Sequence, residues 1–150
     1  MKASHSAALA DCLQVVHQLF YFLDEANYPQ LVQLFTPDGC WERQGELLTG
    51  RVMVAQALAK RPATQRIRHV ISNGFLVEAD EASAQFVAYM TAYRFDNGVH
   101  QQGPVAIHRP FRLSVVRARL VASDAGWQIA DMRLTPEFEF TAESPQPASA

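Results

Sequence analysis

Two residues in this chain have side chains and settings suited to moving protons: Asp24, near the C-terminal end of a long amphipathic segment, and His69, in the middle of an alternating one. A carboxylate at the end of a helix faces the negative pole of the macrodipole, so its position is unfavourable unless a partner compensates it. A histidine on another element can be that partner. A neutral imidazole, with an unperturbed pKa of about 6.5, can take a proton from carbon or oxygen and return it to a departing hydroxyl near neutral pH. A carboxylate bonded to its far nitrogen fixes the tautomer and stabilises the imidazolium formed in mid-reaction. Such a pair suffices for elimination or isomerisation next to a carbonyl or a phenol. Taken one by one the residues have plainer roles: a strand histidine is often a hydrogen-bonded core residue, and Asp24 beside Glu25 reads as a solvated helix end.

Other polar groups interrupt apolar faces nearby. His17, Tyr21 and Asp24 stand at i, i+4 and i+7, one helical stripe that could look into a common cavity. Ile67, His69, Ile71 and Asn73 share one strand face, and Ser114 shares another with Val116, Ala118 and Leu120. Tyr21 or Tyr28, with Arg94 or Ser114, is expected to bind the oxygen that gains charge. Phe20, Trp41, Phe75, Phe86, Met90 and Phe111 are expected to help build walls that suit an aromatic or alicyclic alcohol.

The elements that must position these groups follow from periodicity. Ser6 to Asn27 carries Leu9, Leu13, Val16, Leu19, Phe20 and Leu23 at helical spacing. Pro29 suits the first turn of a short second helix through Leu34 and Phe35, Thr36 to Gly39 reads as a turn, and Cys40 to Arg43 as a short strand. Beyond the polar link Gln44 to Glu46, a third helix runs from Gly50 to Lys60 with Val52, Ala55, Leu58 and Ala59 on one side. From Arg66 the pattern alternates, giving strands at Arg66 to Glu78, Ala84 to Phe95, about Ala106 to Val121, and Trp127 to Leu134. Asp96-Asn97-Gly98 signals a tight hairpin, so the sheet is mostly an antiparallel meander. Helices first and strands after make an α+β domain.

A length of 150 residues, 49% of them hydrophobic, fits one domain, taken as residues 1–141, with a polar, Pro-rich tail at 142–150 expected to be disordered. With 13 basic and 15 acidic residues, a net charge of -2 and no block of like charge, nucleic acid is not expected as a partner. No apolar run approaches the ~20 residues of a membrane span, and the N-terminus lacks a continuous apolar core, so a cytoplasmic protein that binds no membrane is expected. Cys12 and Cys40 lie apart with no metal-ligand spacing, so neither a disulfide framework nor a metal site is expected, and both read as small buried hydrophobes.

The order of these elements, with the Leu-Phe-Thr-Pro-Asp turn at 34–38, the Leu-Thr-Gly-Arg start of the third helix, the Arg66 to Asn73 strand and the closing Gly126-Trp127 strand, resembles the SnoaL-like branch of the nuclear transport factor 2 superfamily. The resemblance covers about residues 8 to 136, and scytalone dehydratase-like and bile acid dehydratase-like enzymes are its nearest pattern. It implies a cone: a curved, mostly antiparallel mixed sheet wrapped around a long N-terminal helix, two further helices, and a deep, largely apolar pocket that works without cofactor or metal. The family's helix-borne carboxylate falls on Asp24, its strand-borne histidine on His69, and a substrate-contacting serine on Ser114. The tyrosine that precedes the carboxylate there is Leu23 here, leaving Tyr21, Tyr28 or Tyr93 to reach the same space. The family's second histidine is missing, and Tyr93 or Arg94 lies nearest to its place.

The resemblance implies a lyase, foremost a dehydratase, for a hydrophobic aromatic or polyketide-like alcohol, with His69, Asp24 and Tyr21 catalytic and Tyr28, Trp41, Tyr93, Arg94, Ser114, Asn73 and His17 binding substrate. Two alternatives stand beside it. One is an isomerase or cyclase in the same cone. The other is a non-catalytic ligand-binding or assembly subunit, like the small subunit of ring-hydroxylating dioxygenases, which would have its pocket filled by side chains or form a stable complex with a larger protein. Superfamily members pair through the outer sheet face, and Val87, Tyr89, Thr91 and Tyr93 make that face of their strand buriable, so a homo-oligomer, trimer or dimer, is expected.

Overall fold

A computed structural model describes residues 2–141 and the side chains of residues 5–141. Its order is α1 (Lys2–Asp24), α2 (Tyr28–Val32), β1 (Phe35–Arg43), β2 (Glu46–Thr49), α3 (Gly50–Ala59), β3 (Arg66–Ala79), β4 (Ser83–Phe95), β5 (Arg112–Ser123) and β6 (Gly126–Glu139). The α+β reading holds, and the tail from Ala142 lies outside the described residues.

The long helix forms because apolar residues recur on one stripe: Ala8, Cys12, Val15, Val16, Leu19, Phe20 and Leu23 are all buried. That stripe packs against β3, β4 and β6. Burial of side chains such as Leu19 and Phe20 contributes about 1.5–3 kcal/mol each. The helix stops at Asp24, three residues earlier than its sequence suggests. The Asn27 N–H donates to the Phe22 carbonyl at 2.8 Å and the Ala26 N–H to that of Leu23 at 3.3 Å, while Ala26 takes φ 55°, closing the end with a left-handed cap.

The sheet has the order β2-β1-β6-β5-β4-β3, with β1 parallel to β6 and every other pair antiparallel. The meander from β3 to β6 is therefore as expected, and bulges in β1, β3 and β6 help curve the sheet around α1. Several local expectations are corrected. Thr36 to Gly39 is not a free turn but a register shift inside β1, where a Cβ on Gly39 would stand 2.9 Å from the Ile129 carbonyl oxygen. Gln44 and Gly45, at φ 52° and 76°, make a two-residue hairpin turn into β2, a strand the alternation was too short to reveal. Asp96 does not open a tight hairpin either. Residues 96–111 form a long connection, pinned where the Asp96 carboxylate accepts from Thr64 at 2.8 Å and from the Gly98 N–H at 2.9 Å. In α3 the buried residues are Val54 and Leu58, whereas Val52 is 70% exposed, because the helix faces β1, β2 and α2 through its other side.

One bulge matters more than the others. Along β3, Ile67, His69 and Ile71 face inward, but Asn73 takes φ 57° and the pairing slips between Ser72 and Phe75. The extra residue reverses the parity of the strand, so that Leu76 is buried and Phe75 is 53% exposed.

Candidate active site

Asp24 is the last residue of α1, and His69 lies on the inward face of β3 ahead of the bulge. The helix and strand pack so that one carboxylate serves two donors of one residue. Asp24 Oδ2 accepts the backbone N–H of His69 at 2.9 Å, and Oδ1 meets His69 Nδ1 at 2.6 Å. Both side chains are nearly sealed, at 5% and 7% exposure, whereas the neighbouring Glu25 stays 43% exposed and pairs with Arg68 in solvent. Because a carboxylate only accepts, the tautomer that fits places the hydrogen on Nδ1 and leaves Nε2 basic. The Phe20 ring, 5.2 Å from the imidazole centroid to centroid, packs against it.

The unfavourable end of α1 is compensated a second time. Arg61, just beyond α3, donates from Nη1 to the Leu23 carbonyl at 2.7 Å and to the Tyr28 hydroxyl at 3.3 Å. A cation on the last carbonyls of a helix opposes the negative end of its dipole.

His69 borders a cavity of about 430 Å³ whose apolar walls include Leu23, Trp41, Leu48, Met90, Phe111 and Leu134. His69 and Arg112 both pair with Ala92, so they stand in one row two strands apart, about 10 Å between backbones. The next row brings Met90 beside Ser114, which is only 1% exposed and lines the cavity. Arg94 and Arg112 both hold their guanidinium groups over the Phe111 ring, at 3.8 and 4.8 Å.

The sequence candidates therefore separate. Asp24 and His69 come together, and Trp41, Arg94 and Ser114 line the same cavity. Tyr28 is one contact removed, held by Arg61. Tyr21 is not at the site: it is 63% exposed, because the residue three places before Asp24 falls outside the buried stripe, and His17 is exposed for the same reason. Tyr93 points to the outer face of β4, 38% exposed, by strand alternation. Asn73 is carried away from His69 by the bulge and borders a groove on the outer face with Phe75, Tyr89 and Phe138. Among the expected wall residues, Phe20 and Phe86 belong to the core and Phe75 is outside.

The cavity is also more cationic than an apolar pocket should be. Arg43, Lys60, Arg61, Arg94 and Arg112 line it, against Glu46. Of these only Arg94 stood out in the sequence. Lys60 and Arg61 read as the basic stop of α3, Arg43 as the end of a short strand and Arg112 as an interior position of a longer one, so no local pattern marked them. Burial lowers the pKa of Arg43, and the neighbouring charge of Arg61 adds to the effect. Cys12 is fully buried, and Cys40 is only partly so, with Sγ 3.9 Å from Thr49 Oγ1. Among the described residues no group of three or more His, Cys, Asp or Glu side chains gathers so as to hold a metal ion, and no helix is long and apolar enough to cross a membrane.

Comparison with known proteins adds a frame to this geometry. The model of the SnoaL-like domain matches residues 4–133. A protein of Novosphingobium aromaticivorans, provisionally described as a scytalone dehydratase, superposes with a TM-score of 0.78 at 15% identity, covering 100% of this chain and 99% of that one. A protein of unknown function from Mycobacterium tuberculosis gives 0.76 at 17% identity over 90% of this chain and 75% of its own. ActVI-ORFA from Streptomyces coelicolor gives 0.73 at 16% identity over 87% and 98%. At these identities the likeness is one of fold, and other neighbours are described as NTF2-like or cystatin-like. No curated protein matches the chain significantly.

Proposed function

From the premise that this chain belongs to the SnoaL-like domain family, we propose that it is a cofactor-independent lyase, foremost a dehydratase, acting on a hydrophobic aromatic or polyketide-like alcohol. The observation that carries this reading is the sealed contact of Asp24 with His69 at the edge of an open cavity. In the reaction Nε2 of His69 takes a proton from the carbon next to a carbonyl or a phenolic ring. Asp24 stabilises the imidazolium so formed through Nδ1. Negative charge gathers on the substrate oxygen, where Ser114, Arg94 or Arg112 can donate hydrogen bonds. The imidazolium then returns its proton to the departing hydroxyl, and a double bond and one water result.

An isomerase or cyclase would use the same acid and base but lose no water. Incubation with a panel of β-hydroxy ketones and phenolic alcohols, followed by mass spectrometry, separates the two: a product lighter by one water supports the dehydratase, and an unchanged mass the alternative. No turnover of any panel member that depends on His69 counts against both. The open cavity weighs against the non-catalytic reading in its filled-pocket form; its assembly form is tested by whether the chain purifies in a stable complex with a larger protein.

On this reading the enzyme works in the cytoplasm, where the free thiols of Cys12 and Cys40 fit a reducing compartment. It also associates with copies of itself through the outer sheet face, on which Phe75, Val77, Tyr89 and Phe138 are 53%, 60%, 46% and 62% exposed. Light scattering that gives a monomer mass at micromolar concentration overturns the association.

A further inference from the structure

The charges around the cavity do not balance. Arg112 is met by Glu139 at 2.8 Å, but among the described residues neither Arg43, Arg61 nor Arg94 has a carboxylate within ion-pair distance. Arg43 and Arg61 feel each other directly. Burial and the charge of Arg61 lower the pKa of Arg43, and Tyr28 and Glu46 oppose the shift more weakly. Both side chains have contacts that hold them toward the cavity. Arg61 is anchored on the Leu23 carbonyl and Tyr28, and the Arg43 guanidinium lies 5.0 Å from the centre of the Trp41 ring.

Two guanidinium groups lining one cavity, near enough for one charge to act on the other and with part of their hydration removed, are unfavourable until an anion joins them. The same walls also have unmet donors. Trp41 Nε1 and Arg112 Nε are buried without an acceptor among the described residues. The excess is thus of positive charge and of N–H groups, both of which call for oxygen acceptors.

We infer that Arg43 and Arg61 form an anion subsite of the cavity, and that the substrate presented to His69 carries a carboxylate-class group which the two guanidinium forks hold. This deepens the lyase reading and rests on it. The placement is informative as well. Arg61 grips the carbonyl of Leu23, the residue immediately before Asp24, so the anion end of the ligand is tied to the acid–base pair through a single peptide unit at the end of α1. A planar carboxylate matches the guanidinium fork in two parallel bonds, which it cannot form with the point charge of a lysine ammonium.

The test uses 2-naphthoate and its uncharged isostere 2-naphthamide, titrated against the intact chain by calorimetry at low salt. Naphthoate is expected to bind about tenfold or more tightly than the amide, a preference that falls with added salt. Arg43→Met, which keeps the stem over Trp41, is expected to bring the two affinities together, and Arg43→Lys to restore only part of the difference. Equal affinities in the natural chain, or a preference that survives Arg43→Met in a variant with unchanged circular dichroism, overturn the subsite. His69→Ala keeps the two ideas apart: a carboxylate preference retained there, with no His69-dependent turnover anywhere, sinks the lyase and leaves the subsite standing. Turnover that depends on His69 without any carboxylate preference does the reverse.

Discussion

Asp24 holds His69 by two bonds at once, one oxygen on the backbone N–H at 2.9 Å and the other on Nδ1 at 2.6 Å, so the carboxylate fixes the strand as well as the ring. Removing either member should therefore have two separable consequences. His69→Ala is expected to lower turnover of a verified substrate by about 10²- to 10⁴-fold. Asp24→Asn should do the same, and should also destabilise the fold by about 1–3 kcal/mol, since its amide NH₂ would face an N–H donor in a site closed to water. Turnover and thermal unfolding measured on both variants check this, and unchanged turnover in both removes the acid–base proposal.

Tyr21 offers the opposite test. Its side chain is 63% exposed and its ring contact is with Phe22, away from the cavity. Tyr21→Phe should leave turnover within about twofold and stability within about 0.5 kcal/mol. A large loss of kcat would mean that the tyrosine reaches the substrate in a way this conformation does not contain.

Arg61 ties the end of α1 to α3 through the Leu23 carbonyl and Tyr28. Arg61→Met is expected to lower stability by about 1–3 kcal/mol, because the carbonyl loses a charged donor at the negative end of a helix. The midpoint of urea unfolding measures it, and an unchanged midpoint would show that the bond adds nothing.

Ala26 closes α1 in the left-handed conformation at φ 55°, where a side chain costs about 1–2 kcal/mol and glycine none. Ala26→Gly should raise stability by about 0.5 kcal/mol once the greater freedom of glycine in the unfolded chain is counted. A higher urea midpoint at constant slope is the expected result.

Burial, with a smaller contribution from Asp11, pushes the Cys12 thiol up from 9.0 to about 11. The folded chain therefore holds this proton more tightly than the unfolded one. The resulting stability is fully present below pH 9 and is lost as the pH rises through about 11. Unfolding followed from pH 8 to 11 should show that loss, and Cys12→Ala should flatten it. At neutral pH the thiolate fraction is roughly 100-fold below that of a free thiol, so Cys12 should resist alkylation. Fast labelling of folded Cys12 would contradict its burial.

What the sequence determined by itself is periodic. The stripe from Ala8 to Leu23 made α1, alternation from Arg66 onward made the strands of the meander, and their order made an α+β domain, while the resemblance to the SnoaL-like family implied the cone in which Asp24 and His69 meet. These features are legible because a burial pattern with period 3.6 or 2 is written locally. Where one residue breaks the period, the sequence misleads: a single bulge at Asn73 turned Asn73 and Phe75 outward, and the cap at Ala26 ended α1 early. The contact of Asp24 with both donors of His69, and the gathering of Arg43, Arg61 and Arg112 around one cavity, were decided by tertiary structure alone. Their residues come from different elements, most of them from element ends, which no local pattern relates. Only the packing of α1 and α3 against a curved sheet brings those positions to one place, and there burial turns ordinary surface residue types into a sealed Asp–His contact beside a group of arginines.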